Sequence, residues 1–229
     1  MRSAVFLALL LFSSLSCPQE ERLRPALGAL ERGDHAQAID ALKPLAAEGL
    51  AEAQYLLGLA LEEAPAPLGD FQAALSWYLR AAQASYAPAQ NNLGAMHYDG
   101  RGTGRDPKAA FEWYRKAAAQ GHPEAMTNLA LMHGMGTAVP RDDAEMVKWM
   151  KKGAEAGLAR AQYYYATMLQ KGLAVGRDLE GAHDWFLKAA QGGHKLAMQE
   201  LATIYEMGLG IPSDDARAKA WRERAEAAK

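Results

Sequence analysis

A chain of 229 residues, half of them apolar and 23% charged, has ample material for a packed fold. Its formal net charge of −2 gives no support for nucleic acid, whose electrostatic footprint is a basic patch. A single cysteine excludes both an intramolecular disulfide framework and a zinc site built on paired cysteines.

Residues 1–16, MRSAVFLALLLFSSLS, read as a secretory signal: one Arg, an apolar run from Ala4 to Phe12, then small residues. Ser14 and Ser16 make the small-x-small arrangement of a cleavage site before Cys17. The run is too short to span a bilayer. The expectation is export to a bacterial periplasm or the medium. Cys17 leaves two fates open, soluble secretion or lipid anchoring of a lipoprotein at that cysteine. Ser14-Leu15-Ser16 departs from the usual lipoprotein pattern of Leu at the first of these positions and a small residue at the second.

From Pro18 to Arg32 the pattern turns amphipathic, with Leu23, Ala26, Leu27 and Leu30 at helical spacing. Gly33-Asp34 breaks it, and Asp34 is placed to cap a second helix from Ala36 to Glu48. Beyond this point the sequence repeats. The only tryptophans, Trp77, Trp113, Trp149, Trp185 and Trp221, each lie 36 residues from the next. Five units follow at 51–86, 87–122, 123–158, 159–194 and 195–229, with 17–50 as a partial capping copy carrying Ala41 in the tryptophan's place.

Each unit opens on a helix with Ala at its third position, then Leu or Tyr, then Gly or Ala. Leu93-Gly94 is one such pair, and the small residue lets another helix approach closely. Met96, Met132 and Met168 read as core at this spacing rather than as soft-metal ligands. Gly100, Gly136, Gly172 and Gly208 share one position, suited to a left-handed turn that ends the helix. The second helix opens on an aspartate in every unit: Asp70, Asp106, Asp142, Asp178 and Asp214. Near its other end stand Arg80, Lys116, Lys152, Lys188 and Arg224, where a base suits the helix dipole. The five tryptophans lie between and are expected to plug each helix pair against the next repeat.

Read as one unit, Ala89-Gln90, Leu93-Gly94, Gly100, Gly102, Asp106, Ala110, Trp113-Tyr114, Lys116-Ala117-Ala118 and Gly121 resemble the Sel1-like repeat, a relative of the tetratricopeptide repeat. The likeness covers about residues 33 to 229. It implies an all-α fold, a right-handed α-solenoid of helix pairs, with the first helix of each pair lining a concave face. It also implies an adaptor that holds other proteins. One cysteine-rich bacterial branch is associated with β-lactam binding or hydrolysis, but this chain lacks that branch's paired cysteines.

Chemistry is hard to find. No serine begins an S-x-x-K or occupies a G-x-S-x-G, and there is no H-E-x-x-H. His97 and His133 fill an aromatic position and read as packed residues, while His122 and His194 read as surface residues at turns. No catalytic residue, cofactor or metal site is expected. If Ala53, Leu57, Ala60 and Leu61 face the core, the opposite face of that helix carries a surface that varies from repeat to repeat. It comprises Tyr55, Asn91, Asn92, Thr127, Asn128, Tyr163, Tyr164 and Gln199. Leu56 and Glu200 complete the set. The leading expectation is an exported, non-enzymatic scaffold that binds a protein or peptide there, touching a membrane only through Cys17. An envelope hydrolase or β-lactam-binding protein is one alternative, and a passive spacer the other.

Overall fold

The computed structural model describes residues 18–228, and both the signal-like segment and Cys17 lie outside them. The described residues form twelve α-helices and no strand. The helices are α1 Pro18–Glu31, α2 His35–Ala47, α3 Ala51–Glu63, α4 Phe71–Gln83, α5 Ala87–Asp99 and α6 Pro107–Ala119. They continue with α7 Pro123–Met135, α8 Asp143–Glu155, α9 Ala159–Lys171, α10 Leu179–Gln191, α11 Lys195–Met207 and α12 Asp215–Ala227. Two compact units emerge, one ending at Ala117 and one beginning at Ala118.

The boundaries follow from local chemistry. Asp70, Asp106, Asp142, Asp178 and Asp214 each accept a backbone N–H of the following first turn, and Asp34 does the same for Gln37. At the far end of α5, α7, α9 and α11, a glycine with φ between 65° and 77° closes the helix. A β-carbon would be strained in that left-handed geometry.

Packing within each pair is a knob and a hole. Gly58 lies so close to Tyr78 that an added β-carbon would stand 2.8 Å from the ring, and Gly94 holds Tyr114 in the same way. The third pair exchanges volumes. Met146 replaces the Ala74 and Ala110 of its neighbours, and Gly134 occupies the place of Glu62 and Tyr98 opposite it. A large residue on one helix is matched by a missing side chain on the other, so the interior stays filled.

The tryptophan expectation needs correction. Trp77, Trp113, Trp149 and Trp185 are only half-buried, and Trp221 alone is buried. The deep knob is the next residue: Tyr78, Tyr114, Met150 and Phe186 are buried in full or nearly so. One residue turns the side chain about 100° around the helix, from the rim of the pair into its seam. The tryptophans pack against the core from its rim, Trp221 within it, and each carries a cation on its ring. Arg80, Lys116, Lys152, Lys188 and Arg224 lie 4.0–4.7 Å above the rings three residues before them. The basic position therefore does more than offset the helix dipole, since each pair also gains a cation–π contact.

Stacking from pair to pair uses a second device. Gln54, Gln90 and Gln162 are buried and donate to the carbonyls of Ala46, Ala82 and Ala154 at the end of the preceding helix, at 3.1–3.2 Å. Each bond adds a second donor to a carbonyl that already accepts the backbone N–H of Gly49, Ser85 or Gly157 in the turn ending its helix.

Candidate functional site

The variable face lies on the first helix of each pair, α3, α5, α7, α9 and α11, and the structure divides it sharply. In the first unit Tyr55 is 7% exposed and packs at 5.8 Å from Tyr78 and 5.4 Å from Tyr86. Asn91 is 5% exposed, and its Nδ2 donates to Asn92 Oδ1 at 3.3 Å. Asn92 in turn donates to the Tyr78 hydroxyl at 3.2 Å, and that hydroxyl donates to Glu62 at 2.7 Å. Arg101 closes the chain with an ion pair to Glu62. Burial, then the Glu62 charge, pushes the Tyr78 hydroxyl well above the usual tyrosine range, so it remains a donor. Asn91 is thus buried in a network that Asn92, half-buried, links to Tyr78.

Thr127 in the second unit is fully buried, with its hydroxyl donating to Pro123 O at 3.0 Å. Tyr55, Asn91 and Thr127 therefore correct the expectation that this position faces solvent throughout. Ala53, Leu57 and Ala60 are buried as expected, yet Leu56 and Leu59 on the supposedly opposite face are buried as well. An α3 enclosed on nearly all sides has no solvated face.

The remaining candidates gather in the second unit. Tyr163 and Tyr164 on α9 are half-buried, with ring centres 5.7 Å apart. Beneath Tyr163 lie Phe186 at 5.8 Å and the His194 imidazole, stacked at 4.5 Å. Arg160, one turn earlier on α9, donates to Asn128 on α7 at 3.2 Å. Gln199 on α11 is exposed, and Glu200 beside it is half-buried. Burial, then the Glu200 charge, moves the Tyr163 hydroxyl above the usual tyrosine range. The result is a ring pair on an aromatic base, with the Glu200 carboxylate acting on Tyr163 and the Arg160 guanidinium, bonded to Asn128, one turn away.

Two contributors escape a reading by composition. His194 and His122 are not loose turn residues: each caps a helix, accepting on Nδ1 the backbone N–H of Ala197 and Ala125 at 3.3 Å. Burial lowers the pKa of both imidazoles. Arg160 adds to this at His194, whereas Glu124 opposes it at His122. The signal was positional, since each histidine stands where Asp34 stands relative to its own helix. Among the described residues, no three of His, Cys, Asp and Glu are grouped to hold a metal ion. No described helix is long and apolar enough to cross a membrane.

The family model for the Sel1 repeat matches residues 51–86, 87–122, 123–158, 159–194 and 195–228. The chain belongs to the Sel1 repeat family. A Sel1 repeat protein from Oxalobacter formigenes is similar in structure at 28% identity and a TM-score of 0.78, over 90% of this chain and 82% of that one. An SLR-fold protective antigen from uropathogenic Escherichia coli strains matches at 31% identity and a TM-score of 0.74. That match covers 84% of this chain but only 41% of the antigen, so the Sel1 array here spans less than half of that protein. An immunity protein from Pseudomonas aeruginosa, at 17% identity and a TM-score of 0.59, shares the fold. No curated protein matches the chain significantly. The array of paired helices thus places the chain among Sel1 scaffolds, a family that commonly mediates protein–protein interaction.

Proposed function

We propose that the protein is an exported, non-enzymatic Sel1 scaffold that holds a protein or peptide partner on the first-helix face of its second unit. The observation that carries this reading is the half-exposed Tyr163–Tyr164 pair, held on Phe186 and His194. Two adjacent aromatics partly open to water expose apolar area that calls for a partner. Tyrosine supplies such area with few rotatable bonds, and a rigid base reduces the ordering cost further. Arg160, Asn128, Gln199 and Glu200 add donors and acceptors around it, as a polar rim does. Export rests on residues 1–16, and any membrane attachment would run through Cys17.

The test is photo-crosslinking in cells, with the reactive residue at Tyr163 and a control at the exposed Glu112 on α6. A discrete adduct at Tyr163 and none at Glu112 supports a partner on this face. Equal smears, or nothing at either position, overturn it in favour of a passive spacer.

A further inference from the structure

The face around Tyr163 carries an imidazole, His194, that has two structural duties. The His194 imidazole stacks on Tyr163 at 4.5 Å with an interplanar angle of 21°. The same ring caps α11 by accepting the Ala197 N–H on Nδ1 at 3.3 Å, a donor it shares with the His194 backbone carbonyl at 3.0 Å. That second duty requires a lone pair on Nδ1, which only neutral imidazole has.

We propose that His194 is a pH-sensitive latch for this face, engaged when neutral and released on protonation. The proposal rests on the binding reading above and adds its regulation. Three consequences of protonation point the same way. Nδ1 becomes a donor and faces the Ala197 N–H, so the ring's share of the cap is lost and only the His194 carbonyl still accepts that N–H. A positive charge then stands at the N-terminus of α11, the wrong end of the helix dipole for a cation. It also faces Arg160, whose guanidinium already disfavours a charged imidazole.

Among the described residues, the groups that face the ring from each neighbouring helix are a cation, neutral side chains and backbone. From α9 the facing groups are Arg160 and the neutral Tyr163. From α10 the contact is the Ala189 carbonyl, which accepts the His194 backbone N–H at 3.0 Å. Lys188 on that helix is directed over Trp185. On α11 itself, Lys195 donates to Ala228 O, and Glu200 acts on Tyr163. Burial, then Arg160, lowers the imidazole pKa from its ordinary value, so the latch is engaged at neutral pH and opens as the solution is acidified. His122 caps α7 in the same way, beside Glu124 rather than an arginine, and is the natural internal comparison.

Two measurements on the full chain test the latch separately from the partner. The first is nitrogen NMR of the His194 ring together with the Ala197 amide, from pH 8 to pH 4.5. The latch predicts an Nδ1 acceptor at neutral pH, and an Ala197 amide that titrates with the ring at a midpoint below 6.5. In His194→Asn, a cap that does not titrate, the Ala197 amide should be constant across the range. An Ala197 amide that ignores the protonation of His194 overturns the latch, whatever the face binds.

The second is the yield of the Tyr163 crosslink at pH 7.5 and pH 5.0. Wild-type yield should drop severalfold at pH 5.0, up to the tenfold per pH unit that one linked proton allows. The yield from His194→Asn should be level. Equal loss in both proteins overturns the regulatory role while leaving the binding reading intact. Absence of any adduct, alongside a titrating Ala197 amide, overturns the binding reading and the regulation of it.

Discussion

Tyr55 and Tyr163 occupy the same position three repeats apart, and each makes the same two contacts. Each packs on the knob that follows a tryptophan, Tyr78 or Phe186, at 5.8 Å. Each also meets the ring at the end of its own unit, Tyr86 at 5.4 Å or His194 at 4.5 Å. Yet Tyr55 is 7% exposed, and Tyr163 is half-buried. The difference lies along the helix. Around Tyr55 stand Leu56 and Leu59, buried in one cluster with Leu23, Ala26 and Leu30 of α1. Around Tyr163 the equivalent places hold Tyr164 and Thr167, and Thr167 turns its hydroxyl onto Tyr163 O at 2.9 Å. Trios of the same geometry are closed over in one repeat, where leucines join the α1 cluster, and left half-buried in the other, where Tyr164 and Thr167 replace those leucines.

The largest effect should come from the shared floor of the two trios. Phe186→Ala empties a fully buried site and should cost about 4 kcal/mol in a urea melt. Trp185→Ala, at a half-buried rim, should cost about 2 kcal/mol, the loss of partial burial and of the Lys188 contact. Equal costs would restore the tryptophan as the main plug.

The trios themselves should separate next. Tyr55→Ala should destabilise by about 3 kcal/mol, and Tyr163→Ala by about 1 kcal/mol, as burial dictates. Similar values by chemical denaturation would mean that the two rings share one environment after all.

A third break concerns the hole opposite the knob. Gly58→Ala drives a methyl group into the Tyr78 ring and should cost about 2 kcal/mol. Its neighbours suggest the relief, since the fourth repeat combines Ala166 with Phe186, which has no hydroxyl to pin it. Tyr78→Phe should therefore couple favourably with Gly58→Ala, so that the double variant costs less than the two singles added.

The smallest effect is on acid stability, and it belongs to the second unit alone, where both histidine caps reside. For an imidazole whose folded pKa is lowered, the unfolded chain takes up its proton first as pH falls. The stabilisation is complete above pH 6.5 and is lost below it, toward the lowered folded value of His122 and His194. Melting temperatures should fall between pH 7 and pH 5, and His122→Asn with His194→Asn, caps that do not titrate, should flatten that fall. An unchanged slope would remove the histidines from the account.

Much of the fold was legible because each feature was local. The Asp34 and Asp70 caps and the Gly100 terminus depend on residues a few places apart, and the 36-residue tryptophan spacing is read directly along the chain. The candidate face was less legible because exposure depends on what covers a helix from other repeats. Asn91 and Asn92 look like free amides in sequence; only the fold brings Tyr78, Glu62 and Arg101 to them. The tryptophan misreading has a similar origin. Trp and the residue after it are both large, and periodicity alone does not say which one points into the seam.

The most direct test places a photo-reactive residue at the exposed Gln199 on α11 and compares adduct yield in wild type and in Tyr163→Ala. If the Tyr163 ring is a contact surface for a partner, the yield should fall at least tenfold while the urea midpoint shifts only slightly. An undiminished adduct in Tyr163→Ala would contradict the account and leave the ring as one more packed residue of the repeat.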